Sequence, residues 1–361
     1  MPKKISKHIA VICNYELKPD RIGGMDRFFA AFDTKAKQEG FCIDWFFPNQ
    51  EEIEFYKDLN IYSSKELTVE QLFLKHLKET QTVYSTVITH FTELCTSFYK
   101  KVKLQTGAYC IAVDHNPRPL EGFPLKKRFK LKFKSLLYAK YIDQFIAVSK
   151  YTKYHILNDY GHFLNKKVRV IYNGIDTSVY KRQKSRNAKR FIVASHLRQS
   201  KGIQDLLAAL GQMYSADLDG IIVDIYGEGP IETELKGLVV NHKLQNVVNF
   251  KGSSSELPNL FCNYDYMIQP TYMECFSLSL LESLSANVPV ITTQVGGNLE
   301  LITHGENGFV FQAGDVMELA ILLKQLIFSE LVLHKEVYHL VESKFYLDKM
   351  VNEHYNLLRC I

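Results

Sequence analysis

The chain has 361 residues, 46% of them hydrophobic and 23% charged, which is too long for one ordinary core and suits two domains of about 150–200 residues. Its seven cysteines (Cys13, Cys42, Cys95, Cys110, Cys262, Cys275 and Cys360) are odd in number and scattered without a Cys-x-x-Cys or Cys/His cluster. A disulfide framework and a zinc site are therefore both disfavoured, and a reducing, cytoplasmic setting is expected. No apolar run reaches eighteen residues and the N-terminus turns polar early, so neither a membrane span nor a secretory leader is expected. The net charge of +5 is mild; where it lies matters more than its sum, and no nucleic-acid partner is expected.

In chain order, residues 8–13 form a buried strand, and a polar loop leads to Gly23 and Gly24 before a helical stripe of Met25, Phe28, Phe29 and Phe32. Strand, glycine loop and helix without a G-x-G-x-x-G fingerprint speak against a dinucleotide cofactor. A tight turn needing glycine dihedrals is the plainer account of the glycine pair. Residues 41–47 are a second strand, followed by a polar, helical stretch to Thr80. Strands at 86–91 and 109–116 end in His90 and in Asp114-His115. Strand ends in an open parallel sheet face the ligand crevice, so both histidines are candidates, against the plainer role of a hydrogen-bonded histidine.

Pro124 to Lys140 is the strongest charge run. Leu125, Phe129, Phe133, Leu136 and Leu137 fall at helical spacing, interleaved with Lys126, Lys130, Lys132 and Lys134. The apolar stripe is expected to pack on its own sheet while the lysines face water, where they can meet an anionic membrane surface. A strand at 143–149, a helix from Lys150 and a strand with an Asn173-Gly174 turn at 168–176 close the first half. The polar stretch 181–190 reads as a linker, placing the boundary near 180.

The second half opens with a strand at 190–194, then His196, Arg198 and Lys201-Gly202 at a helix start, which sets ammonium charge beside a phosphate crevice. Strands follow at 220–226 and 247–252, the latter carrying Lys251. Asp217-Leu218-Asp219 matches a metal-binding D-x-D, but it precedes its strand and so lies at the sheet edge away from the crevice.

The most informative stretch is Pro270 to Ile302. A strand at Tyr266–Ile268 leads to a helix marked by Phe276, Leu278, Leu280, Leu281 and Leu284; Pro289 opens a strand and Gly296-Gly297 a turn. Glu274 and Glu282 bracket the helix. Eight helical residues rise roughly 12 Å and turn about 80° short of whole turns, which would put Glu274 at the crevice mouth and Glu282 two turns deeper. Between them, the N–H groups of Phe276, Ser277 and Leu278 make an anion site. An anion flanked by carboxylates suits a ligand that also carries hydroxyls. A nucleotide-sugar fits, with its diphosphate on the N–H groups, its sugar on Glu274 and its ribose on Glu282.

Glu274-x7-Glu282, followed by Pro289-Val290-Ile291 and Gly296-Gly297-x-x-Glu300, resembles the carboxyl-terminal signature of family-4 retaining glycosyltransferases of the GT-B fold, the glycosyl transferases group 1. Ile146-Ala147-Val148-Ser149 and Tyr172-Asn173-Gly174-Ile175-Asp176 resemble the family's connectors. The resemblance implies an α/β protein with two Rossmann-like, doubly wound domains facing each other across a cleft: an acceptor-side domain at 1–180, a nucleotide-sugar domain at 181–340, and a helix at 341–361 crossing back. It implies retaining transfer from a nucleoside diphosphate sugar to a glycan or lipid-linked saccharide in cell-surface polysaccharide synthesis, without a metal or cofactor. Catalytic roles would fall to His115, Lys201 and Glu274. Donor contacts would come from Gly23, Gly24, Arg198, Lys201, Lys251, Phe276, Ser277, Leu278 and Glu282. His196 stands where the family has arginine, and Arg198 is expected to compensate. Lys126, Lys130, Lys132 and Lys134 would face the inner leaflet. The alternatives are a non-catalytic relative that binds a nucleotide-sugar or a membrane surface, and a nucleotide-sugar epimerase.

Overall fold

The computed structural model describes residues 7–19, 22–51, 53–80 and 82–359, so Cys360 lies outside the described residues. One compact unit comprises Met1–Asn173 with Leu347–Ile361, and a second comprises Gly174–Tyr346. The division falls ahead of the polar stretch taken as a linker, because that stretch is hydrogen-bonded into the second unit. Lys181 N–H donates to the Pro258 carbonyl (3.2 Å), Gln183 N–H to Ala286 (2.8 Å), and the Arg186 guanidinium to the Leu333 and Asn287 carbonyls. At the other end, Glu342 pairs with Arg182 and keeps the residues before 347 in the same unit.

The first unit runs β1 (His8–Cys13), α1 (Gly24–Gln38), β2 (Cys42–Phe47), β3 (Asn60–Ser63), α2 (Val69–Thr80), β4 (Thr86–His90), α3 (Ser97–Thr106), β5 (Tyr109–Asp114), α4 (Leu125–Tyr138), β6 (Gln144–Ala147), α5 (Lys150–Tyr160) and β7 (Val168–Val170). Its seven strands pair in the order β3-β2-β1-β4-β5-β6-β7, all parallel. Central runs such as Ile9–Cys13 are wholly buried, as a sheet covered on both faces requires. Edge strand β3 lies inside the stretch expected to be helical; it is short, partly exposed and begins with Asn60, so it carries no apolar run.

In the second unit follow β8 (Arg190–Ala194), α6 (Ile203–Gly211), β9 (Ile222–Tyr226), α7 (Glu232–Asn241), β10 (Val248–Gly252), α8 (Leu257–Leu260), β11 (Tyr266–Gln269), α9 (Leu278–Ser285), β12 (Val290–Thr293), β13 (Gly308–Phe311), α10 (Val316–Ile327) and α11 (His339–Lys344). Its sheet has the order β10-β9-β8-β11-β12-β13, again parallel. Leu206, Leu207 and Leu210 of α6 pack with Leu319, Leu322 and Leu323 of α10 in its core.

Helix α4 departs from expectation. Leu131 and Ser135 are its buried residues, whereas Leu125, Phe129, Phe133, Leu136 and Leu137 are exposed. The helix packs through the face that carries the small Ser135, where a close approach costs little. The unit's core takes in Leu131 and Ala139, and the pairs Arg128–Asp159 (3.7 Å) and Lys134–Glu93 (2.6 Å) fix the helix from that side.

The last helix, α12 (Leu347–Leu358), returns to the first unit and packs against α1. It places His354 on Phe28, with ring centroids 4.8 Å apart, and 6.2 Å from the ring of His90. His354 Nδ1–H donates to the Met350 carbonyl (2.9 Å), and its buried Nε2 has no hydrogen-bond partner among the described residues. His90 Nδ1 and His115 Nε2 share a hydrogen bond of 3.0 Å. Burial pushes His115 down to about 3, His354 down to about 4, and His90 well below the ordinary imidazole range.

All three rings are therefore neutral in the folded chain, while the unfolded chain protonates them near 6.5. Stability is fully present above that pH and is lost as pH falls toward the folded-state values, by up to about 1.4 kcal/mol per pH unit for each imidazole. Urea unfolding at about pH 7 and about pH 5 should show this loss, and His354→Gln should shallow the slope by about one proton. Equal stability at both pH values would contradict the neutral cluster.

Candidate active site

In the second unit the strand order reverses between β8 and β11, and a doubly wound sheet opens a crevice at such a point beyond its strand ends. The loops after β8, β11 and β12 meet there. After β8, Leu197 is fully buried and its N–H donates to the Glu228 carbonyl (2.9 Å), which anchors the loop. One 3-10 turn, Gln199–Lys201, then delivers Gly202 at φ +71°. A Cβ on Gly202 would lie 1.8 Å from the Pro270 carbonyl oxygen, so only glycine admits this approach. The Ser200 carbonyl accepts from the N–H of Tyr272 (2.8 Å) and the hydroxyl of Thr271 (3.2 Å). On the far side Gly296, at φ +66°, would put a Cβ 2.1 Å from the Glu274 carbonyl oxygen, and Gly297 N–H donates to Cys275 O (3.0 Å).

Held this way, Lys201 Nζ reaches Glu274 Oε2 at 2.7 Å, both side chains partly buried. Glu274 Oε1 also accepts from Cys275 N–H (3.2 Å). The structure thus joins two residues that the sequence could nominate only separately. Glu274 lies in the loop, not on the helix, so the eight-residue helical offset to Glu282 does not apply. Glu282 is half-buried within α9.

The start of α9 also differs. Leu278 is its first residue and Ser277 its N-cap, whose hydroxyl does not cap the helix. That hydroxyl accepts from Gln269 Nε2 (2.8 Å). The orphan donors of this helix start therefore belong to Ser277, Leu278, Ser279 and Leu280. Phe276 is a packing residue, buried against Phe345 with ring centroids 5.3 Å apart.

Arg198 is exposed and makes no side-chain hydrogen bond or ion pair among the described residues, and His196 is exposed two positions earlier. Lys251, on edge strand β10, sits 3.7 Å from Asp224, which also accepts from Asn249 (2.9 Å) and Tyr264 (2.7 Å). Asp217 and Asp219 lie at the turn before β9, where Asp217 pairs with Lys324 (3.4 Å).

The first unit has its own reversal, between β1 and β4. His90 ends β4 and His115 follows β5, and the two are hydrogen-bonded; the ring of Phe91 stacks on His115 with centroids 4.2 Å apart. Gly23 and Gly24 open α1, yet Gly23 has φ −96°, which any residue adopts, so dihedral need does not explain it. Its N–H donates to Asp26 Oδ2 (2.8 Å), a fully buried carboxylate that also accepts from Tyr15 (2.9 Å) and Tyr56 (2.6 Å). Asp26 was missed in the sequence, although its position three residues after Gly23 is the capping-box spacing.

Comparison with known proteins agrees with this geometry. Residues 175–338 match the family described as glycosyl transferases group 1, and residues 51–179 match glycosyltransferase family 4. N-acetyl-alpha-D-glucosaminyl L-malate synthase of Bacillus anthracis is 30% identical over 213 residues, 54% of this chain and 55% of its own length. The chain thus spans about half the length of that relative. Among solved structures, HepE of Anabaena in complex with UDP-glucose aligns with a TM-score of 0.77 over 98% of this chain and 100% of its own, at 18% identity. Sucrose-phosphate synthase of Thermosynechococcus elongatus aligns at 0.76 over 98% of both chains, at 17% identity. These structural likenesses bear on the fold, and the family matches cover the second sheet and strands β3 to β7 of the first. The signature residues, the paired parallel sheets and the family matches agree that the chain belongs to the family-4 glycosyltransferases of the GT-B fold.

Proposed function

We propose that the protein transfers a sugar from a nucleoside diphosphate sugar to a hydroxyl acceptor, with retention at the anomeric carbon. The acceptor in this reading is a glycan or lipid-linked saccharide of a cell-surface polysaccharide, met at the cytoplasmic face of a membrane. The observation that carries the proposal is the 2.7 Å pair, at the strand-order reversal, of Lys201 in the loop after β8 and Glu274 in the loop that leads into α9. A diphosphate entering there meets an ammonium and the N–H groups of a helix start, both of which favour anions. The bond between the anomeric carbon and the diphosphate oxygen breaks, and charge grows on the leaving diphosphate. Lys201, Arg198 and the first-turn N–H groups of α9 stabilise that charge. The acceptor oxygen bonds to the same face of the sugar, and its proton passes to an oxygen of the departing phosphate. As Lys201 turns to phosphate, the Glu274 carboxylate becomes available to the sugar hydroxyls, while Glu282 takes the ribose hydroxyls. His115, neutral and held by His90, is the first-unit residue put forward for the transfer. The UDP-glucose complex of HepE supports a uridine nucleotide as the first donor to try.

A donor screen in EDTA, reading UDP against GDP release and the anomeric configuration of the product, tests the reading. Turnover with retention is expected. Inversion, activity only with added manganese or magnesium, or binding without turnover would each overturn the corresponding part. Product formed without any acceptor would indicate an epimerase.

Lys201→Ala should lower kcat by about a hundredfold to a thousandfold, the effect of removing one donor from a developing anion. Arg198→Ala should also lower it and His196→Ala should not; the reverse pattern would move the role to His196. Glu282→Ala should weaken donor binding by about 2–4 kcal/mol, through loss of charge-assisted hydrogen bonds. Unchanged donor affinity by calorimetry would remove the ribose assignment.

A further inference from the structure

Helix α4 carries six basic residues and no acidic one in Leu125–Tyr138. Its buried residues are Leu131 and Ser135. At 3.6 residues per turn, Leu125, Phe129, Phe133 and Leu136 form a ridge on nearly the opposite side of the helix. That ridge is 69%, 71%, 63% and 68% exposed, and Leu137 beside it 44%. Four large apolar side chains in one row facing water are more than scattered surface hydrophobics, and a row of this kind marks an interaction surface.

The cations divide into two groups. Arg128 pairs with Asp159, Lys134 pairs with Glu93, and Lys127 lies over the Phe123 ring at 3.5 Å. Lys126, Lys130 and Lys132 make no ion pair among the described residues. By helical spacing Lys132 flanks the ridge on one side, and Lys126 and Lys130 on the other. The surface is therefore a greasy crest between two cationic shoulders.

The composition selects one occupant. A second copy docking on the same patch would meet it about a two-fold axis, which would set cation against cation with no acidic residue on the helix to relieve them. A bilayer that contains anionic lipid offers apolar chains to the crest and phosphates to the shoulders at once. Lysine stems are long enough to bury their carbons while the ammonium stays at headgroup level. From Leu125 to Leu137 the crest extends roughly 18 Å along the axis, and its back face is fastened to the first unit, so the helix would lie in the membrane plane.

We propose that α4 is an in-plane membrane anchor whose crest inserts into the interface of an anionic bilayer while Lys126, Lys130 and Lys132 hold headgroup phosphates. The anchor does not rest on the transfer reading, and its test uses no donor or acceptor. The full chain is sedimented with vesicles of phosphatidylcholine, with and without phosphatidylglycerol, at low and high salt. Wild type should bind the anionic vesicles. Phe129→Ser/Phe133→Ser/Leu136→Ser should lose binding at both salt concentrations. Lys126→Gln/Lys130→Gln/Lys132→Gln should bind about a hundredfold more weakly and lose the preference for anionic lipid. Phe129→Trp should shift its emission to the blue on vesicles, over a constant background from buried Trp45. All substituted side chains are exposed, so thermal unfolding of each variant should match wild type. No wild-type binding, equal binding by the crest variant, or an unshifted tryptophan would overturn insertion. A lysine variant that binds like wild type would overturn the headgroup assignment. A dimer that dissociates only in the crest variant, without vesicle binding, would give the crest to a second copy instead.

Discussion

At the carboxyl ends of β8, β11 and β12, three backbones approach so closely that a single methyl group would hold them apart. Gly202 lies against the Pro270 carbonyl and Gly296 against that of Glu274. Glu274 is thereby gripped through its main chain from one side and met by Lys201 from the other. The arrangement of charge in the second unit follows from this packing. The carboxylate does not need to find the ammonium, because the loops that carry both are hydrogen-bonded to each other through Ser200, Thr271 and Tyr272. Such preorganisation is what electrostatic stabilisation of a developing charge requires.

The two sheets solve the reversal of strand order with different electrostatics. In the second unit the strand ends present the Lys201 ammonium, paired with Glu274, and the N–H groups of a helix start. In the first unit the corresponding region is uncharged or capped, since its imidazoles are neutral and the start of α1 is already occupied by the buried Asp26 carboxylate. A helix start satisfied by its own acid offers little to an external anion, whereas the start of α9 carries no side-chain cap.

Much of this was legible in the sequence. Parallel strands buried on both faces leave unbroken apolar runs, and the strands ending at Cys13, His90, Asp114 and Gln269 were readable for that reason. Lys201 and Glu274 could each be nominated, but their pairing spans 73 residues and depends on loop contacts that no local pattern encodes. Strand β3 escaped because an edge strand need not be apolar. Polar composition around Gln183 and Arg186 resembled a linker, whereas those side chains serve to satisfy carbonyls of the second unit. Helix α4 shows the deepest limit: periodicity reveals that apolar residues share a face, but not whether anything covers it.

The path of the chain has a consequence for its synthesis. Ile175 and Tyr346 pair as a β-bridge, so the second unit begins and ends at neighbouring points and is contiguous in sequence. It amounts to an insertion between the body of the first unit and the helix that finishes it. A ribosome therefore releases everything needed to fold the second unit while the first still lacks α12, with Phe28 and Phe32 of α1 awaiting the cover that His354 later provides. The first unit is completed only after the second has emerged, and until then its uncovered aromatic face is exposed to aggregation.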